Sequence, residues 1–504
     1  MSFKRNIIAS YASQIYVTLV GIVILPMYLA HMGAEAYGLV GFFTMLQAWF
    51  NLLDMGLTPT VAREAARFRV GITDAESYRK LLRALQLIFI AIAIIGAGIM
   101  LAFTNSIASE WLNVESLPLA DVEIALKLIV ISVALRWVSG LYKGCVSGAE
   151  KWIWLSNFNI LIATLRFVGA LPVLIWIGNS PVIFFSYQLF IAAIELTVIT
   201  RKAHSLFPVM PDEKILGWSI KKLFLPVAPV LKFSLSIAFT SFVWILITQL
   251  DKLILSKLLT LSDYGYFTLA VLAAGGVLMI SGPISSALMP RLAGLQAVGD
   301  QKGLISLYRE ATRLVVLIAL PACLTLAIFA EQILWAWTGD AHAARNSAPI
   351  LRLYALGNGF LSISAFPYYL QYAKGDLKMH ILGNILFILL LVPLLIWSTY
   401  QYGAIGSGYA WLISNAIYFF VWIPFVHKKF VKGLHSKWLM NDLGMTVVLG
   451  CIIGYFLRKF SSWPDDRFGV ILFVIAGGLI LLCGCAMSFK LTTNLKLTRK
   501  LLSQ

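Results

Sequence analysis

The sequence is poor in charged residues and lacks the residue patterns that most enzymes need. Only 12% of its 504 residues are Asp, Glu, Lys or Arg. Its five cysteines have no disulfide or zinc spacing, and its six histidines are scattered along the chain. No phosphate-binding glycine loop is present, which argues against an ATP-driven motor. We therefore expect no enzyme activity, no catalytic residues, no metal and no cofactor.

Apolar residues, by contrast, are abundant. They make up 60% of the chain, and the mean hydropathy is +0.85. A helix that spans a bilayer takes about 20 mostly apolar residues, so the composition predicts an all-α integral membrane protein. The first apolar run is too long for the core of a signal peptide and is expected to be retained. Fourteen spans are predicted, at residues 7–30, 36–56, 82–104, 122–148, 152–178, 181–203, 229–256, 264–289, 311–331, 348–373, 379–399, 403–426, 442–459 and 468–488.

The net charge of +17 comes from basic residues that are concentrated in alternate loops. Cytoplasmic loops of membrane proteins carry an excess of Lys and Arg. With the N-terminus inside, the basic clusters fall on the inner side, and the outer connections are mostly short, neutral or acidic. The charge therefore predicts a multi-pass membrane protein with both termini in the cytoplasm. Nucleic acid is not an expected partner.

The sequence pattern of the N-terminal region repeats from near residue 229. A shift of about 227 residues places Tyr264-Gly265 on Tyr37-Gly38, and further matches follow at the same offset. Six spans in each half give parallel repeats, related by an axis along the membrane normal, with a central cavity between two six-helix bundles. The predicted segments are an N-terminal lobe, an interfacial linker, a C-terminal lobe, and an extra helix pair with a basic tail, at residues 1–205, 206–228, 229–427 and 428–504.

Several ionisable residues fall at membrane depth, where they cost several kcal/mol unless they face protein or water. Arg136 and Arg166 lie near the middle of the fourth and fifth spans, and Lys143 shares a helical face with Arg136. Lys252 leaves the seventh span. We interpret these four residues as the lining of a hydrated cationic cavity that binds substrate. Buried ion pairs are the alternative for the two arginines.

Three carboxylates are candidates for coupling transport to an ion. Glu195 lies within the sixth span, Asp251 precedes Lys252, and Asp54 ends the second span. Each also has a structural interpretation. Glu195 would pair with one of the arginines, Asp251 would form a local surface feature with Lys252, and Asp54 would cap the following loop.

The ordered motifs of the chain resemble those of a known family. They are Leu25-Pro26, residues 33–38 ending in Tyr37-Gly38, Leu53-Asp54 through Leu57 with Arg63, Gln249 through Leu255, Gly375 through Lys378, and Tyr402 through Gly406. In order and spacing they are similar to the polysaccharide and O-antigen lipid flippases of the multidrug/oligosaccharidyl-lipid/polysaccharide exporter superfamily. The likeness covers nearly the whole chain.

This resemblance implies two six-helix bundles around a central cavity and alternating access. It implies transport of an undecaprenyl-pyrophosphate-linked oligosaccharide, such as an O-antigen or other repeat unit of lipopolysaccharide or surface polysaccharide, from the inner to the outer leaflet. Membrane lipids and a polysaccharide polymerase are the implied partners. A multidrug cation antiporter of the same superfamily is the main alternative, although it would favour a more acidic cavity. A membrane polymerase or glycosyltransferase is less well supported, because no long outer loop or paired carboxylates are present.

Overall fold

The computed structural model describes residues 3–54, 56–206, 228–279, 281–459 and 463–502. Nearly all of these residues are helical, and the described part of the chain contains no β-strand beyond an isolated bridge between Asn113 and Thr260. A helix satisfies its own backbone hydrogen bonds, which is what an apolar bilayer demands. The predicted all-α membrane fold is confirmed. The interfacial linker expected at residues 206–228 lies almost wholly outside the described residues.

The helices form two compact units, Met1–Gly265 and Tyr266–Gln504. The helices of the first unit are α1 Phe3–Phe50, α2 Leu57–Arg69, α3 Ala75–Ala102, α4 Thr104–Ser106, α5 Leu119–Gly148, α6 Trp152–Ala163, α7 Ala170–Trp176, α8 Pro181–His204, α9 Ala228–Leu258 and the start of α10 Leu261–Met279. A 3-10 turn follows α1, and two π-helices lie at Ile107–Trp111 and Thr164–Val168.

The second unit continues α10 and is likewise helical. Its further helices are α11 Ser281–Ala297, α12 Gln301–Ile328, α13 Ala330–Thr338, α14 Ala341–Ala373, α15 Lys378–Tyr402, α16 Ala404–Ile417, α17 Ile423–Phe430, α18 Leu434–Trp438, α19 Met445–Lys459 and α20 Arg467–Leu502. Two π-helices, Tyr418–Trp422 and Leu439–Gly444, connect successive helices without a loop.

Eleven helical stretches of the described chain are long and apolar enough to cross a bilayer, by length and composition. Helices cover each of the predicted segments, although two of them, 7–30 and 36–56, fall together on α1. Gly33 interrupts that helix with φ 83° and ψ 167°, a conformation that suits glycine. The number fourteen, the lobe boundaries and the repeat stay predictions.

The two Tyr-Gly pairs of the sequence meet each other in the first unit. A Cβ on Gly38 would lie 2.2 Å from the carbonyl oxygen of Leu261, and one on Gly265 would lie 2.5 Å from that of Ala34. Positions 34 and 38 are related to 261 and 265 by the same shift of 227 residues. Under this shift Leu261 corresponds to Ala34, and Gly265 corresponds to Gly38. The two contacts are therefore equivalent, as contacts across a two-fold axis are.

The predicted C-terminal helix pair packs within the second unit through small residues. A Cβ on Gly454 of α19 would lie 2.6 Å from the Ile328 side chain, and one on Gly477 of α20 would lie 2.7 Å from the Phe329 ring. Small residues permit this close approach of helices, which drives association where lipid removes the hydrophobic difference. The pair is thus an integral part of the unit.

Candidate functional site

Arg166 lies on the π-helix Thr164–Val168, between α6 and α7. The defining bond runs from the Gly169 backbone N–H to the Thr164 carbonyl oxygen at 3.0 Å. A π-helix inserts one extra residue into an α-helix, and such insertions are frequent at functional sites. It also leaves nearby carbonyl groups without helical partners, which must be satisfied in an apolar environment.

Side chains from two neighbouring helices satisfy the carbonyl groups of residues 165–167. On α8, the Tyr187 hydroxyl donates to the carbonyl oxygen of residue 165 at 2.7 Å, and the Gln188 Nε2 donates to that of residue 166 at 3.0 Å. The hydroxyl of Tyr28, on α1, donates to the carbonyl oxygen of residue 167 at 2.6 Å. These bonds hold the π-helix, and with it the backbone of Arg166, in a defined position.

Glu195 of α8 lies between two basic side chains of α5. Its Oε1 accepts a hydrogen bond from Lys143 Nζ at 2.6 Å, and its Oε2 lies 3.7 Å from Arg136 Nε. Arg136 donates from Nη2 to Gln188 Oε1 at 3.0 Å, and its side chain is only 3% exposed. Its Nε and Nη1 have no hydrogen-bond partner among the described residues. Glu195 is thus the partner of one predicted arginine, and of Lys143 as well.

The two arginines contact the same aromatic ring. The guanidinium carbons of Arg136 and Arg166 lie 5.3 and 5.4 Å from the centroid of Phe43. Cations at this distance are attracted to the ring quadrupole. Arg166 also makes a long hydrogen bond of 3.4 Å to Gln47 Oε1. The cluster therefore contains three cations and one carboxylate, a formal excess of two positive charges.

A cavity of about 380 Å³ opens beside this cluster within the first unit. Arg166, Lys143 and Glu195 line one part of it. The polar residues Ser10, Ser13, Gln14, Thr18, Ser156 and Asn159, together with Trp152, line much of the rest. Arg136 lies behind the lining, against Glu195. The arrangement offers cationic donors and uncharged polar groups to one ligand.

The other predicted site residues lie elsewhere. Lys252 donates from Nζ to the Thr248 carbonyl at 2.6 Å and lies 3.5 Å from Asp251, whose side chain is buried. Asp54 accepts from the backbone N–H and hydroxyl of Thr58 at 3.1 and 2.6 Å, at the start of α2. None of the three is among the described residues that line the cavity. Their proposed roles stay predictions.

Sequence reasoning missed the uncharged part of the site. The polar residues of α1 recur at positions 10, 13, 14 and 18, which is the spacing of one helical face. A polar face on a membrane span was therefore a readable signal. Tyr28, Gln47 and Gln188 gave no comparable signal, because their importance depends on the π-helix and on the arginines they contact.

Comparison with known proteins agrees with the motifs. A family model described as "Polysaccharide biosynthesis protein" matches residues 214–344. The chain is 22% identical over 422 residues to the "Putative O-antigen transporter" of Shigella flexneri, which covers 82% of this chain and 95% of that protein. The Shigella relative is described as a transporter, in agreement with the expectation that the chain is not an enzyme.

Solved structures share the fold. The lipid II flippase MurJ in an inward closed conformation superposes with a TM-score of 0.70 at 15% identity, over 96% of this chain and 98% of that one. An inward-facing multidrug transporter of the MATE family gives 0.64 at 15% identity, over 83% and 96%. In sequence the chain is similar to a polysaccharide biosynthesis family and to an O-antigen transporter, and in fold to a flippase and a multidrug transporter, in agreement with the polysaccharide flippases that its motifs resemble.

Proposed function

We propose that this protein moves an undecaprenyl-pyrophosphate-linked oligosaccharide, an O-antigen or another surface-polysaccharide repeat unit, from the inner to the outer leaflet of a bacterial cytoplasmic membrane by alternating access. The observation that carries the proposal is the excess of two positive charges beside a polar cavity in a membrane-embedded unit. Uncompensated cations at membrane depth are costly, so an anionic ligand is the natural partner.

The chemistry of the cluster favours phosphate among anions. A guanidinium group is a planar fork of donors that grips phosphate oxygens in a bidentate manner. Arg166 lines the cavity. Apart from the long bond to Gln47, its side-chain contacts among the described residues are with aromatic rings, so most of its donors are available to a ligand. The side chain of Lys143 is 34% exposed and adds an ammonium group to the cavity wall.

Glu195 is the coupling candidate that this geometry favours over Asp251 and Asp54. Its carboxylate accepts a hydrogen bond from Lys143 and lies close to Arg136, and an incoming phosphate would compete for the same cations. A phosphate that takes over Lys143 would release the carboxylate, which would then accept a proton or another cation. Substrate binding and ion uptake would thereby be linked.

The two halves of the chain are, in this proposal, parallel repeats that move against each other in alternating access. The constant offset of 227 residues supports this, as does the reciprocal contact of Gly38 and Gly265. Gly38→Ala and Gly265→Ala should then lower stability by similar amounts, measured by thermal unfolding in detergent. A large effect at one position and none at the other would contradict the repeat.

The experiment that tests the function is transport in proteoliposomes. The purified protein is reconstituted with undecaprenyl-pyrophosphate-linked N-acetylglucosamine, and accumulation of the sugar on the opposite leaflet is measured with a membrane-impermeant lectin. A parallel sample receives ethidium, a cationic dye, because the MATE-like fold makes cation export the second candidate. Sugar-lipid translocation without ethidium transport supports the proposal, and the reverse result replaces it with the antiporter.

A further inference from the structure

The uncharged part of the cavity has no role in the phosphate contacts described above. The side chains of Gln14 and Asn159 line it and make no hydrogen bond to any other described residue. A side-chain amide both donates and accepts hydrogen bonds, as does a sugar hydroxyl. The available hydrogen bonds of these two amides therefore fit a hydroxyl-rich ligand.

The same face of α1 adds further polar groups. Ser10 and Thr18 lie one turn or so on either side of Gln14 and line the cavity with it. Trp152 lines the cavity at the first residue of α6, although its position at a span end also suits an interfacial anchor. An indole ring presents a flat apolar face on which the C–H face of a pyranose can stack.

The order of these groups along the helices matches the order of groups in a lipid-linked sugar. Arg166 follows Trp152 by fourteen residues, a rise of about 21 Å. Trp152 is the first residue of the candidate span Trp152–Trp176, whereas Arg166 lies near the middle of that span. A lipid tail stays in hydrocarbon, the phosphates follow it, and the sugar lies nearest to water. Phosphates at Arg166 therefore place the first sugar between Arg166 and Trp152.

We propose that Gln14, Asn159 and Trp152 form a sugar subsite that binds the monosaccharide next to the pyrophosphate. This inference rests on the proposed function, since it takes the phosphates to bind at Arg166. It assigns the polar face of α1 to the recognition of hydroxyl groups. The cavity volume is close to the lower end of the range of about 300–1,000 Å³ for small-ligand sites, which suits part of a headgroup rather than a whole oligosaccharide.

The test compares two probes in lipid nanodiscs, undecaprenyl pyrophosphate and undecaprenyl-pyrophosphate-linked N-acetylglucosamine. Dissociation constants are measured for the wild type and for Gln14→Leu, Asn159→Leu and Asn157→Leu. Asn157 is the matched control, because it is an exposed amide on the same helix that does not line the cavity. Thermal unfolding of each variant shows whether it folds normally.

We expect Gln14→Leu and Asn159→Leu each to weaken binding of the sugar-bearing probe by roughly fivefold to tenfold, the effect of one neutral hydrogen bond. Binding of undecaprenyl pyrophosphate and all binding by Asn157→Leu should stay unchanged. Equal weakening of both probes, or no weakening of either, would overturn the subsite. Failure of the phosphate assignment has a different signature, because Arg166→Gln would then leave the affinity for both probes unchanged.

Discussion

Two carboxylates, one in each compact unit, attract two basic side chains apiece. Glu195 lies between Lys143 and Arg136 in the first unit, and Asp442 accepts hydrogen bonds from Arg309 and Arg313 in the second. Both carboxylates are almost fully buried. Each carboxylate therefore has the same number of basic partners.

The two clusters differ in how many hydrogen-bond donors of the basic side chains remain available to a ligand. Arg309 uses Nε and Nη2 on Asp442 at 2.5 and 3.0 Å, and Arg313 donates to the same carboxylate from Nε at 2.5 Å. In the first unit, Arg136 keeps two donors without a hydrogen-bond partner among the described residues, and Arg166 adds a third cation. A cluster suits ligand binding when its donors are not consumed internally and a cavity adjoins it.

The largest effect is expected from Asp442→Asn. Removing the negative charge leaves two partly buried guanidinium groups without compensation, and the free energy of unfolding should fall by about 2–3 kcal/mol. Chemical unfolding in detergent measures it. Asp376→Asn is the control, since its pair with Lys429 at 2.9 Å is exposed and should contribute less than about 1 kcal/mol. An unchanged stability of Asp442→Asn with loss of transport would make the two clusters functionally alike.

Arg166→Gln should produce the opposite pattern. Loss of a charge-assisted bond to phosphate is expected to weaken substrate binding by roughly 10- to 100-fold, with little change in stability. Arg313→Gln is the matched substitution, which should lower stability but leave transport per folded molecule unchanged. Translocation assays normalised to folded protein measure both. Equal loss of transport in the two variants would refute the distinction.

Glu195→Gln is expected to strengthen binding of undecaprenyl pyrophosphate by roughly tenfold, because a competing negative charge a few ångströms from the ligand is removed. Translocation should nevertheless slow, since the released carboxylate is the proposed ion acceptor. Binding in nanodiscs and translocation in proteoliposomes measure the two effects separately. Weaker binding would show that Glu195 orders the cations rather than competing for them.

The smallest effect is expected from Tyr28→Phe. It leaves the Phe167 carbonyl without its 2.6 Å hydrogen bond, which should lower stability by about 0.5–1.5 kcal/mol and weaken phosphate binding about twofold or threefold. Tyr308→Phe removes a buried bond of 2.8 Å to His427 in the second unit. It should lower stability by a similar amount without any change in binding. A binding defect in Tyr308→Phe alone would reverse the assignment of the two regions.

Hydropathy predicted the fold class well, because apolar runs of sufficient length have few alternatives to a membrane helix. The same argument selected Arg136, Lys143, Arg166 and Glu195, because an ionisable group at mid-span is costly unless it faces protein or water. The structure brings these four side chains together, and their role stays a prediction. The argument also selected Lys252, which contacts its own helix, because depth alone does not reveal which face of a helix meets a cavity.

Other features lie beyond what local sequence encodes. Asp442 lies at the end of a predicted span among basic residues, where a carboxylate is not unusual. Its importance depends on two arginines of α12, Arg309 and Arg313, which pair with it. The π-helix at Thr164–Val168 has an ordinary composition and is held by Tyr28, Tyr187 and Gln188 from other helices. Such features arise from tertiary contacts, which sequence periodicity does not report.

The reciprocal contact of Gly38 with Leu261 and of Gly265 with Ala34 bears on how this chain arose. In a homodimer of a shorter ancestor, one glycine per subunit would have made both contacts at once, because such an interface repeats every interaction. Gene duplication and fusion would turn that single position into two, each free to mutate separately. Under the proposed repeat, Gly38 and Gly265 would descend from that one position, and the crossing of these helices would predate the joined chain.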